Sequence, residues 1–130
     1  MKLTGNHGMN SNMGYFFDTY AFFEIINGNP KYKIYAESEV ITTIFNLAEL
    51  NYGLKKKMSK ELSDKYIEKY YQYAVDVTLE DIKNAMDCKT SHRKLSIPDA
   101  IGYTISKRFN IKFLTGARDF EGMENVEFVR

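Results

Sequence analysis

The 130-residue chain has a single cysteine, Cys88, near-balanced charge and no apolar run long enough to cross a bilayer. One thiol excludes an internal disulfide and a cysteine-rich zinc site, and points to the cytosol. The formal charge of +1 argues against a strongly basic nucleic-acid binder. An enzyme acting on RNA through a local basic patch and metal ions remains compatible with it. No repeat, linker or low-complexity segment interrupts the chain after its start. Residues 1–12 are polar and lack the apolar segment of a signal peptide, so they read as a disordered leader or an expression remnant, with Met13 a candidate natural start. What remains, residues 13–130, has the size of one domain, and its 44% hydrophobic and 27% charged residues are ordinary for a globular protein.

Short apolar runs alternate with helical patterns. Gly14-Tyr15-Phe16-Phe17 reads as a strand ending at Asp18, followed by a helix over 19–26 that Asn27-Gly28-Asn29-Pro30 stops. A β-prone piece at Val40-Ile41 leads into a helix over 42–55, with Ile44, Leu47 and Leu54 on its apolar period. Ser59 is an N-cap candidate for a third helix that places Leu62, Tyr66, Tyr70 and Tyr73 on one face. Ala74-Val75-Asp76-Val77 reads as a strand. Thr78-Leu79-Glu80-Asp81 and Ser96-Ile97-Pro98-Asp99 both have the spacing of capping boxes, the second opening a helix to about Phe109 with Asn110 as its stop. Ile111 to Leu114 and Val126 to Val129 are the last strands. This alternation predicts βαβ units around a parallel sheet, a three-layer α/β/α sandwich whose ligands bind outside the carboxyl ends of the strands.

Four carboxylates stand where such a rim would be: Asp18, Glu49, Asp99 and Asp119. Each has a purely structural alternative. Asp18 could cap the helix starting at Thr19, where a cap contributes about 1 kcal/mol. Asp99 could be the third residue of the Ser96 capping box, and Asp119 a turn residue on the surface. Glu49 falls between Phe45 and Tyr52, so it interrupts an aromatic stripe; an unpaired carboxylate buried there needs a cation, a donor or a proton. A buried salt bridge would meet the same need. Taken together, four hard-oxygen donors suit Mg²⁺ or Mn²⁺, ions that assist phosphodiester hydrolysis without a covalent nucleophile.

The motifs resemble those of a known family. Phe16-Phe17-Asp18-Thr19-Tyr20-Ala21 resembles the opening strand of PIN-domain proteins, and Leu47-Ala48-Glu49-Leu50-Asn51-Tyr52-Gly53 the helix carrying the family's glutamate. Leu95-Ser96-Ile97-Pro98-Asp99-Ala100-Ile101 resembles its third acidic motif, and Phe113-Leu114-Thr115-Gly116-Ala117-Arg118-Asp119-Phe120 its last. The size is similar to that of VapC-type toxins of toxin–antitoxin pairs. The resemblance implies a Mg²⁺- or Mn²⁺-dependent endoribonuclease, homodimeric, cytoplasmic and inhibited by a cognate antitoxin. It makes Asp18, Glu49, Asp99 and Asp119 catalytic metal ligands, with Thr115 holding a water or phosphate. Ala117 stands where many members carry a further acid or Asn, which leaves Asp119 as the acid near Thr115.

Other features point less sharply. Arg118 is a phosphate-contact candidate beside Asp119, and His92, Arg93 and Lys94 are either RNA-backbone contacts or a solvated loop. Tyr66, Tyr70, Tyr71 and Tyr73 read as core and partner surface, or as base-stacking platforms. Cys88 reads as a buried small apolar residue, and His7 has no role. A haloacid-dehalogenase-type reading fails because Tyr20 stands where its second Asp is required, and a receiver domain fails at Asp76 and Thr115. The remaining rival is a non-catalytic PIN-fold module that binds RNA or protein.

Overall fold

The computed structural model describes Gly14 to Arg130 together with the backbone of Lys2 and Leu3. The expected leader, residues 1–12, and the start at Met13 lie outside the described residues, apart from Lys2–Leu3, which form strand β1. The other elements are β2 (Gly14–Phe17), α1 (Thr19–Ile26), a 3-10 segment (Pro30–Glu37), β3 (Glu39–Ile41), α2 (Ile44–Lys55), α3 (Lys60–Tyr70), α4 (Leu79–Ser91), α5 (Ile97–Arg108), β4 (Lys112–Thr115) and β5 (Val126–Phe128).

The sheet is parallel throughout, in the order β1-β3-β2-β4-β5. Central β2 pairs Phe16 with Ile41 on one side and Phe17 with Leu114 on the other. Because side chains alternate along a strand, each strand serves two cores. Phe17, Val40 and Leu114 join Phe22, Leu47, Leu50, Leu54 and Tyr70 from α1, α2 and α3. Phe16, Ile41 and Phe113 join Ala85, Ala100, Ile101 and Ile105 from α4 and α5. The result is the expected three-layer α/β/α sandwich, with apolar strand runs because both faces are covered.

Local signals act as their chemistry requires. Thr43, Ser59, Thr78 and Ser96 are N-caps, each accepting from a backbone N–H of the first turn, and both capping boxes close. Asn110 takes φ 57° just past α5, a left-handed position that Asn tolerates. Gly102 is needed for close approach: a Cβ there would lie 2.7 Å from the Phe16 ring and 3.2 Å from Asn46 Oδ1.

Two expectations need correction. Ala74–Val77 is not a strand. Tyr71–Tyr73 closes as a 3-10 turn and Thr78 already caps α4, so only Ala74 is left to bridge, beside Thr42 past the end of β3. Val75 and Val77 pack against the core under α4 instead. Ile44, placed on the apolar period of α2, is 54% exposed because it opens the helix at its outer edge. The 3-10 segment had no expected structure; its Tyr32 and Tyr35 are buried and their hydroxyls donate to Val129 O and Glu127 Oε2, both at 2.7 Å.

Candidate active site

The carboxyl ends of β2 and β4 lie side by side, and the N-terminal turn of α5 and the second turn of α2 bring acids to the same place. Asp18 is the residue after β2 and is 2% exposed. It is both a cap and a candidate site acid: Oδ1 accepts from Ala21 N at 2.8 Å, and the Thr115 hydroxyl at the end of β4 lies near enough to favour its charged form. Burial pushes its pKa up; the Thr115 and Ala21 bonds pull the other way, the charges of Asp99 and Glu49 add to the rise, and the result is about 7.

Asp99 likewise has two roles. Its Oδ2 accepts from Ser96 N at 3.2 Å, completing the capping box. Burial raises its proton affinity; the Ser96 bonds oppose the rise, and the charge of Asp119 adds to it. Glu49 is half-buried, and burial followed by the charge of Asp99 raises its pKa as well. The Thr19 hydroxyl, at 3.2 Å from Oε1, holds the carboxylate, and the nearby Ser96 hydroxyl favours its charged form. The aromatic stripe expected around Glu49 is not buried: Tyr52 is 67% exposed and Phe45 half-buried, so the acid interrupts a rim and not a core. Its partners are hydroxyls, and among the described residues neither Asp18, Glu49 nor Asp99 forms an ion pair.

Asp18, Glu49 and Asp99 therefore come together from three separate segments, with Asp119 exposed on the short 3-10 turn Arg118–Phe120 and near enough for its charge to act on Asp99. Thr115 is buried at the end of β4 beside Asp18, and its oxygen accepts from Ala117 N at 3.0 Å. Arg118 is largely exposed and lies 3.6 Å from Glu121.

The donor set fits a hard cation in its chemistry, since three carboxylates with raised proton affinity repel one another until a positive charge enters. Among the described residues no group of three or more His, Cys, Asp or Glu side chains is placed to hold a metal ion. An ion such as Mg²⁺ or Mn²⁺, which retains several waters and uses one or two carboxylates, would meet these acids as an open cup. Asn46, wholly buried one turn before Glu49, accepts from the Thr43 hydroxyl at 2.7 Å, while its Nδ2 has no partner among the described residues. A cleft of about 440 Å³ lies apart from these acids, lined by Ile44, Phe45, Tyr71, Val75 and Leu79.

Thr19 and Asn46 escape a reading of the sequence. Along the chain Thr19 is only the first residue of a helix.

Comparison with known proteins follows the same lines. The chain resembles a toxin–antitoxin complex from Klebsiella pneumoniae with a TM-score of 0.70 at 17% identity, covering 87% of this chain and 95% of that one. It also resembles VapBC2 from Rickettsia felis, bound to a DNA fragment from their promoter, with a TM-score of 0.67 at 18% identity, covering 90% and 98%. A search of curated protein sequences gives no significant match. The PIN-domain family model matches residues 15–126, which takes in every strand from β2 to the first residue of β5 and all four acids: the chain belongs to the PIN-domain family.

Proposed function

We propose that the chain is a divalent-metal-dependent endoribonuclease and the toxin of a toxin–antitoxin pair. The observation that carries this reading is the meeting of Asp18, Glu49 and Asp99, each with raised proton affinity and none with an ion-pair partner among the described residues. Asp18, Glu49 and Asp99 would hold Mg²⁺ or Mn²⁺, with Asp119 acting from the exposed edge, and the ion would supply the positive charge that polarises a phosphodiester and activates water. Thr115, beside Asp18 at the end of β4, would hold a water or phosphate by its hydroxyl.

The RNA backbone must reach an acidic cup, so cations near the cup have work to do. Lys89 Nζ donates to Arg93 O at 3.2 Å and Leu95 O at 2.7 Å, fixing the loop that carries exposed His92, Arg93 and Lys94 up to Ser96. Arg118, exposed beside Asp119 and 3.6 Å from Glu121, is the other phosphate-contact candidate. The toxin–antitoxin complexes among the structural neighbours support an antitoxin partner. Exposed Ile44, Tyr71 and Leu79 give apolar surface for a homodimer or for that partner. No helix among the described residues is long and apolar enough to cross a membrane, which is compatible with the cytoplasmic location this reading needs.

Ala117, together with the exposure of Asp119, favours a second reading, a PIN-fold module that binds RNA or protein without cutting. One experiment separates the two: cleavage of a labelled RNA across a Mg²⁺ and Mn²⁺ titration, with a chelator control. Cleavage that appears with metal and vanishes with chelator supports the nuclease. RNA bound but left intact at saturating metal supports the module.

A further inference from the structure

Glu49 is the acid least constrained by its own backbone. Asp18 and Asp99 are fixed by caps at helix starts, whereas Glu49 projects from the middle of α2 on a longer side chain, half-buried and facing the like charge of Asp99. Left alone it would turn toward water. The hydroxyl of Thr19 prevents this, and it belongs to a residue tied to another acid. Thr19, peptide-bonded to Asp18, places its Oγ1 3.2 Å from Glu49 Oε1 and 3.1 Å from Asn46 O.

We propose that Thr19 is a positioning residue that locks the Glu49 carboxylate in register with Asp18, so that the cup is formed before any ligand arrives. The inference rests on the reading of these acids as a metal site. Orientation of a ligating carboxylate by outer hydrogen bonds is worth a measurable share of metal affinity, and losing such a partner typically weakens binding about 10- to 100-fold. The Thr19 hydroxyl has one proton and two acceptors, so when Glu49 shifts it can turn to the Asn46 carbonyl without being left unpaired.

The test compares Thr19→Val, which keeps the shape and removes the hydroxyl, with Thr19→Ser, which restores it. Three quantities are read: the side-chain carboxyl ¹³C signal of Glu49 in the metal-free protein, Mn²⁺ affinity by electron paramagnetic resonance, and the melting temperature. The expected result is a shifted Glu49 signal and roughly tenfold weaker Mn²⁺ binding in Thr19→Val, recovered in Thr19→Ser, with melting little changed in the pair. An unchanged Glu49 signal in Thr19→Val overturns the proposal. A wild-type protein that binds no Mn²⁺ but shows the Glu49 shift in Thr19→Val overturns the metal-site reading and leaves the lock standing.

Discussion

Asp18 and Asp99 each carry two roles that compete when the residue is changed. Asp99→Asn removes a proposed ligand and relieves repulsion from Glu49 and Asp119, but it also weakens the capping box with Ser96. The cap and dipole loss amounts to about 1 kcal/mol, and the relief has the opposite sign. We therefore expect cleavage to vanish while thermal melts with chelator move by no more than a few degrees. A variant that cuts RNA normally and melts earlier would leave Asp99 as a cap alone. Asp18 gives a pH signature in the metal-free protein. Its folded pKa, about 7, lies above the ordinary 3.8, so between those values the folded state keeps a proton that the unfolded chain has released. Stability then falls as pH rises through that window and levels off above it. Asp18→Asn, which can still cap α1, should flatten the curve; urea melts from pH 4 to pH 8 in chelator check this.

At the scale of elements, α4 and α5 frame the site from one face of the sheet, and their mutual placement depends on Asp81. Its carboxylate closes the capping box of α4 and accepts from Arg108 of α5, Nε at 2.8 Å and Nη2 at 2.9 Å. Burial pushes its pKa up, but the Thr78 bonds and Arg108 outweigh that and hold it below the usual range. For a carboxylate with a lowered folded pKa, the stabilisation is present above the unfolded value and is lost as pH falls through the folded one. Asp81→Ala removes the cap and the fork together and should cost about 2 kcal/mol at neutral pH, less in acid. Denaturant melts at pH 7 and pH 3 measure both. Gly102→Ala tests the packing of α5 on β2: the added methyl must displace the Phe16 ring or Asn46, and overpacking of this kind costs about 1–3 kcal/mol. Because Asp99 lies one turn earlier on α5, cleavage should fall together with stability.

For the whole molecule, a formal charge of +1 means that affinity for RNA depends on where the cations are. Arg93 and Lys94 are exposed on the loop that Lys89 holds beside the cup. Replacing both with Ala should weaken single-stranded RNA binding at every sequence and reduce the salt slope by about 0.7 for each phosphate no longer neutralised. Fluorescence anisotropy in chelator across a KCl series reads this without cleavage; an unchanged slope would make the loop an ordinary solvated surface. A homodimer is expected to sediment as such at micromolar concentration. The tyrosines offered for it by the sequence divide in the fold, Tyr70 and Tyr73 going to the core and Tyr71 remaining 64% exposed.

The sequence by itself determined what depends on short range. Caps at Ser59, Thr78 and Ser96, the stops at Asn27 and Asn110, and the apolar runs of β2 and β4 follow from groups a few residues apart, and the family motifs already named the four acids. The sandwich followed from the alternation of those elements. Where a local pattern was read without its surroundings it misled, as at Ala74–Val77, whose β-prone residues had one bridge to make because the turn before and the cap after had used the chain. Only the tertiary structure decided which face each residue received and which partner it met. Glu49 is answered by the hydroxyl of Thr19, 30 residues before it, and Thr115 comes beside Asp18 across two neighbouring strands. Such bonds connect residues distant along the chain, and their geometry exists only once the strands have paired and the helices have packed.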